Sequence, residues 1–230
     1  MLKKSNIISL ICSFFISFLS SCNNKEISAE EIFESNKESV VELKANTGED
    51  LVTYGSAVLI DKEGTFLSNA HLVCYKSGGE YKDFENVSIR FCFEEIYRSV
   101  EVIKYDRDID LSVLRLKNKD GLILLPLSIS QEEVKQGNKV FAIGNSMNHG
   151  LSITEGIISI PQINIEYEGI NKTVIQCDLV INEGNSGGAL INKKGQLIGI
   201  TTFRLKDDKG NIIYGVAFCI PIQKGVEYID

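Results

Sequence analysis

Histidine is scarce: the chain of 230 residues holds two, His71 and His149. No two of its six cysteines stand at zinc-ligand spacing, so a zinc site is not expected and no metal or cofactor is called for. Basic clusters are missing as well. With Lys+Arg at 24 and Asp+Glu at 31, the formal net charge is −7, which makes nucleic acid a poor partner. Beyond the N-terminal segment no apolar run is long enough to span a membrane. Repeats, low-complexity stretches and long linkers are also absent, and helical patterning is confined to the two ends.

The N-terminus has a character of its own. Lys3 and Lys4 precede an apolar run from Ile7 to Leu19, and Leu19-Ser20-Ser21-Cys22 closes it with small residues. That pattern is expected to be a secretory signal over residues 1–21. Leu-Ser-Ser-Cys resembles the bacterial lipobox, which implies a lipid on Cys22 and a membrane anchor of two or more acyl chains. Residues 22–28 then form a polar tether. Of the other cysteines, Cys12 falls in the signal and Cys74, Cys92, Cys177 and Cys219 remain. An exported even set can form disulfides, yet Cys177 and Cys219 lie in apolar strand-like runs where buried thiols are ordinary. No bridge is assigned.

From Ser28 and Glu31, a capping-box pair ahead of a short helix, the sequence turns to strands. Runs rich in Val, Ile, Tyr, Phe and Thr alternate with Gly, Asn, Asp and Lys turns, with hairpin signals at Asn192–Gly195 and Asp207–Gly210. The expected strands include Val52–Ile60, Phe66–Asn69, Leu111–Leu116, Leu151–Ile160, Asn164–Glu168, Ala189–Asn192 and Leu197–Phe203. Many short strands with almost no helix read as an all-β sandwich or barrel. Asp120–Gln136 offers a waist between two halves.

Three segments carry chemistry: Ser68-Asn69-Ala70-His71 at a strand end, Asp106–Leu114 where a carboxylate opens an apolar strand, and Gly184-Asn185-Ser186-Gly187-Gly188. A serine hydroxyl attacks well only when an imidazole takes its proton. A carboxylate must hold that imidazole in one tautomer, and preplaced amides must meet the oxyanion. Each segment alone has a plainer reading, and Asp106 or Asp108 could stand in for Asp110. Together, in the order His–Asp–Ser on an all-β background, they point to a serine peptidase.

The chain resembles the protease domain of the HtrA/Deg family of chymotrypsin-like serine peptidases. Ser39–Leu43, Gly55–Ile60, Leu67–His71, Asp110–Leu114, Val140–Asn145, Ile153–Ser159, Ile175–Asp178, Ile181–Leu190 and Gly215–Pro221 carry the likeness. The resemblance implies two six-stranded antiparallel β-barrels with a short helix at each end, a protease domain over 29–230, and barrels over about 37–120 and 135–222. It implies His71 as general base, Asp110 as its orienter, Ser186 as nucleophile, and the Gly184 and Ser186 amides as oxyanion hole. Glu183 stands where the family usually has Pro, and Ser68 where Thr is commoner. No PDZ domain is expected, so peptide-triggered allostery is not carried over, and monomer and trimer both stay open.

Val180, six residues before Ser186, is expected at the base of the specificity pocket. Without an acid there, cleavage after small or aliphatic residues is expected rather than after Lys or Arg. His149 reads as a solvated loop residue, Glu183 as a solvated loop charge, and Asp178 as a cap for nearby amides. The stretch Gly199-Ile200-Thr201-Thr202 is expected to pair with the backbone of an extended or unfolded polypeptide. The alternative is a surface lipoprotein that mainly binds unfolded or host proteins, with latent hydrolysis. The intact triad counts against it.

Overall fold

The computed structural model describes residues 27–48, 50–167, 169–206 and 209–229. The expected signal, the lipid site at Cys22 and most of the tether lie outside the described residues, as do Glu168 and the Asp207–Asp208 half of one expected turn.

Helix α1 (Ala29–Asn36) opens on the Ser28–Glu31 capping box, with Glu31 N–H to Ser28 Oγ at 3.1 Å and Ser28 N–H to Glu31 Oε2 at 2.9 Å. The strands follow as β1 (Val40–Asn46), β2 (Val52–Leu59), β3 (Thr65–Ser68), β4 (Cys74–Ser77), β5 (Glu80–Asp83), β6 (Asn86–Arg90), β7 (Arg98–Asp106) and β8 (Leu111–Leu116). The second half holds β9 (Lys139–Gly144), β10 (Ser152–Tyr167), β11 (Ile170–Cys177), β12 (Ala189–Asn192), β13 (Leu197–Lys206) and β14 (Ile212–Pro221), and α2 (Ile222–Ile229) follows. Strands β1-β2-β3-β8-β7-β6 close one barrel and β10-β11-β14-β13-β12-β9 close the other.

Burial on two faces explains why the strands read as continuous apolar runs. Successive side chains point to opposite faces of a strand. In β2, Ala57 and Leu59 fill the first barrel while Val58 faces the seam between barrels; Phe66 and Leu67 in β3, and Leu114 and Val113 in β8, divide the same way. In the second barrel Val140, Ala142, Leu190 and Ile198 point inward, and Phe141, Ile143, Ile191 and Ile200 join the seam. With neither face left to water, polar alternation disappears from these strands. Both helices also pack on the seam, α1 through Ile32 and α2 through Ile222.

Two features differ from expectation. The β4–β5 hairpin, turned at Gly78-Gly79, falls outside the expected strands because its own are short and largely exposed, leaving no apolar pattern to read. Leu151–Ile160 and Asn164–Glu168 belong to one long strand, β10. Register shifts after Ile158 and Ile160 absorb Pro161, whose missing N–H would otherwise break the ladder.

Candidate active site

The three chemical segments meet where the barrels face each other. His71 sits in a short 3-10 turn just after β3, and Asp110 opens β8, the neighbour of β3 in the sheet. His71 Nδ1 lies 3.0 Å from Asp110 Oδ1 and 2.9 Å from Oδ2, and His71's own backbone N–H donates to Oδ1 at 3.1 Å. Asn69 Nδ2 holds the Asp110 carbonyl at 3.0 Å, while Ser112 Oγ holds the Asn69 carbonyl at 3.1 Å. Asp110 itself sits at φ 59°, a strained conformation for a residue other than glycine, and those bonds fix it there. Asp106 serves the turn instead of the imidazole. Its Oδ1 accepts the N–H of Asp108 at 2.7 Å and of Ile109 at 3.3 Å, capping the bend that presents Asp110.

Burial works to raise the pKa of the Asp110 carboxyl. The positive charge of His71, its ring and backbone N–H, and the Thr202 hydroxyl outweigh burial and hold the group below its ordinary value. A carboxyl depressed on folding stabilises the protein above its unfolded pKa of about 3.9 and loses that contribution as pH falls through the folded pKa. Acid melts should therefore show the stability gap between wild type and Asp110→Asn widest above about pH 4 and shrinking below it. A gap independent of pH would contradict the pairing.

Ser186 approaches from the second barrel. Its Oγ donates to the Thr202 carbonyl at 2.8 Å, while the Thr202 hydroxyl donates to Asp110 Oδ2 at 2.6 Å. One threonine thus touches both the serine and the aspartate. In the sequence Thr202 reads only as the end of the expected substrate strand and Ser56 only as part of Gly55–Ile60; nothing there signals their contacts with the aspartate and the serine turn. Ser56, buried in β2, donates through Oγ to the Gly184 carbonyl at 2.8 Å and through its N–H to the Ser186 carbonyl at 2.8 Å. The first barrel therefore grips the serine turn of the second by side chain and backbone together.

The turn can meet an anion. The Glu183 carbonyl accepts the Met147 N–H at 2.7 Å, and in a trans peptide the Gly184 N–H then points the opposite way. Neither the Gly184 nor the Ser186 N–H has a hydrogen-bond partner among the described residues. Gly184 takes φ +90°, and a Cβ there would lie 2.0 Å from the Asn145 carbonyl oxygen, so only glycine fits.

A cleft of about 530 Å³ runs past these groups, lined by His71, Asp110, Ser186, Ile181 and the Thr202–Arg204 stretch of β13. Two expectations need correction. Val180 is 55% exposed and does not line the cleft, whereas its buried neighbour Ile181 does. The loop before Ser186 is not a strand, so counting back along it misplaces the inward residue by one. Gly199, Ile200 and Thr201 cannot take a substrate strand. Gly199 and Ile200 pair with β12 on one side and β14 on the other, and the Thr201 N–H and carbonyl are bonded to Gly188 and Gly187. β12 begins at Ala189, opposite Ile200, so from Thr202 onward β13 keeps β14 on one side and presents an open edge on the other. His149 and Glu183 are exposed, and Asp178 caps the Ile157 N–H at 2.7 Å. Cys177 and Cys219 are buried thiols of the second core, Cys74 is buried and Cys92 exposed. Among the described residues no group of His, Cys, Asp and Glu could hold a metal.

Two closed antiparallel barrels with such a cleft between them define the chymotrypsin-like class. Within it, the trypsin-like peptidase domain matches residues 55–200, and the chain belongs to that family, in its HtrA-like branch. Serine endoprotease DegS of Escherichia coli is 32% identical over 183 residues, 79% of this chain and 48% of the relative. The probable periplasmic serine endoprotease DegP-like of Buchnera aphidicola is 40% identical over 175 residues, 74% of this chain and 34% of that protein. The chain thus spans about half or less of the curated relatives it matches. A solved HtrA-type protease AlgW with tripeptide superposes with a TM-score of 0.72 at 28% identity, covering 88% of this chain and 62% of that one.

Proposed function

We propose that the protein is a serine endopeptidase working through an acyl-enzyme, with Ser186 as nucleophile, His71 as general base and Asp110 as its orienter. The observation that carries this reading is the grip of both Asp110 oxygens on His71 Nδ1, with Thr202 joining the aspartate to the serine. With Nδ1–H held by the carboxylate, Nε2 is left with its lone pair to accept a proton. The Ser186 proton then turns from the Thr202 carbonyl to Nε2 as the oxygen attacks a peptide carbonyl. The Gly184 and Ser186 amides meet the oxyanion, and the imidazolium returns its proton to the leaving amine.

The substrate is an extended or unfolded polypeptide whose backbone pairs with Thr202–Arg204. The residue before the scissile bond is small or aliphatic, in keeping with the apolar Ile181 on the pocket wall. Export is supported by a relative named as periplasmic, and lipidation of Cys22 by the sequence alone. Envelope quality control or processing is the setting these features fit. Wild type should degrade casein, and Ser186→Ala should not, while both fold, because the change removes one part-buried hydroxyl and its single hydrogen bond to the Thr202 carbonyl, worth about 1 kcal/mol. Undiminished degradation by Ser186→Ala would refute the reading.

A further inference from the structure

The cleft has a charge opposite to that of the protein. The chain carries a net −7, yet Lys76, Arg107, Lys172 and Arg204 line the cleft against only two carboxylates, Asp110 and Glu183. Asp110 is occupied by His71 and Thr202. None of the four cations forms an ion pair with a carboxylate among the described residues. Two of them share one ring: the Arg107 guanidinium lies on Tyr81, and Lys76 Nζ stands 5.8 Å from the same ring's centre. Asp83, on the same hairpin as Tyr81, is engaged by the Tyr105 hydroxyl.

The ground beneath these charges is built. Lys172, buried on β11 of the second barrel, reaches across the seam and donates to the carbonyls of Arg107 at 3.1 Å and Asp108 at 2.8 Å. It thereby fixes the backbone from which Arg107 projects, three residues before Asp110. The β4–β5 hairpin, which follows His71 directly, supplies Lys76 and Tyr81. Two cations gathered at one aromatic ring, neither ion-paired with a carboxylate among the described residues, leave positive potential that an incoming anion can meet.

Resting on the catalytic reading above, we propose that Arg107, Lys76 and Tyr81 form a subsite for an acidic side chain, taken from the second residue before the scissile bond. In an extended substrate along Thr202–Arg204, successive side chains point opposite ways. When the residue before the bond enters beside Ile181 on the serine side, its predecessor faces the histidine side, where Tyr81 and Arg107 stand. Arg204, on the pairing edge and 3.3 Å from Asn182 Oδ1 through Nη1, adds positive potential along the same path.

The test is a positional library of internally quenched peptides, read together with labelling of the wild type by a fluorophosphonate probe. At low salt, Asp and Glu at that second position should raise kcat/KM about tenfold over Asn and Gln, and added salt should erode the ratio. Arg107→Glu should invert the preference toward Lys and Arg, and Lys76→Glu should reduce it; a ratio taken within one variant is insensitive to how much of it folds. Equal cleavage of Asp and Asn peptides by a wild type that labels normally overturns the subsite and leaves the peptidase standing, as does an acidic preference confined to another position. Failure of both labelling and cleavage removes the catalytic reading, and the subsite with it.

Discussion

Asparagine in place of Asp110 should lower kcat by about 10⁴ with little change in KM. The size follows from the hydrogen bonds at the carboxylate. Oδ1 accepts the His71 backbone N–H, which cannot reverse its polarity, so the amide oxygen of asparagine must stay on that side. The NH₂ then replaces Oδ2, where the Thr202 hydroxyl can turn and accept it. That NH₂ also faces Nδ1 and forces it to become an acceptor. The ring proton moves to Nε2, and the base loses the lone pair that should receive the serine proton. Steady-state hydrolysis of quenched peptides measures the loss; a variant within tenfold of wild type would mean that Asp110 does not set the tautomer.

Alanine at Gly184 should cost about 10²–10³ in kcat, the usual consequence of losing one oxyanion donor. Its Cβ would meet the Asn145 carbonyl at 2.0 Å, and the φ of +90° adds strain of about 1–3 kcal/mol. The turn relieves both by rotating the peptide whose N–H is needed. The His71–Asp110 pair lies on the first barrel and should survive, so a fluorophosphonate should still label the variant, only more slowly. Peptide turnover and thermal melts on one sample separate the two effects. Full activity in Gly184→Ala would remove this amide from the mechanism.

Much of this arrangement is legible in the sequence because the chemistry demands side chains of rare type. With two histidines in the chain, and only His71 at the end of a strand, the base is conspicuous. Strands such as β2, β3, β8, β9 and β12 are legible because both of their faces are buried, as is the apolar run Leu197–Ile200 of β13. What escapes are residues whose role exists only after the barrels dock. Ser56 and Thr202 are ordinary hydroxyl residues in strands until β2 meets the serine turn and β13 meets Asp110. The choice among Asp106, Asp108 and Asp110 likewise needs the β3–β8 pairing that sets Asp110 against His71. Local irregularity hides the remainder. β12 covers β13 as far as Ile200, so the open edge starts at Thr202 instead of Gly199, and no residue type announces where a neighbouring strand will end. The exposed β4–β5 hairpin leaves no apolar trace, although it builds one wall of the cleft.

Activation of the Ser186 hydroxyl by the His71–Asp110 pair can be read from its reaction with a fluorophosphonate, followed by peptide mass spectrometry. A single phosphonyl adduct on Ser186, formed rapidly by wild type, about 10⁴-fold more slowly by Asp110→Asn and not at all by Ser186→Ala, is the expected result. An adduct on another residue, or equal labelling of Ser186 in wild type and Asp110→Asn, would contradict it.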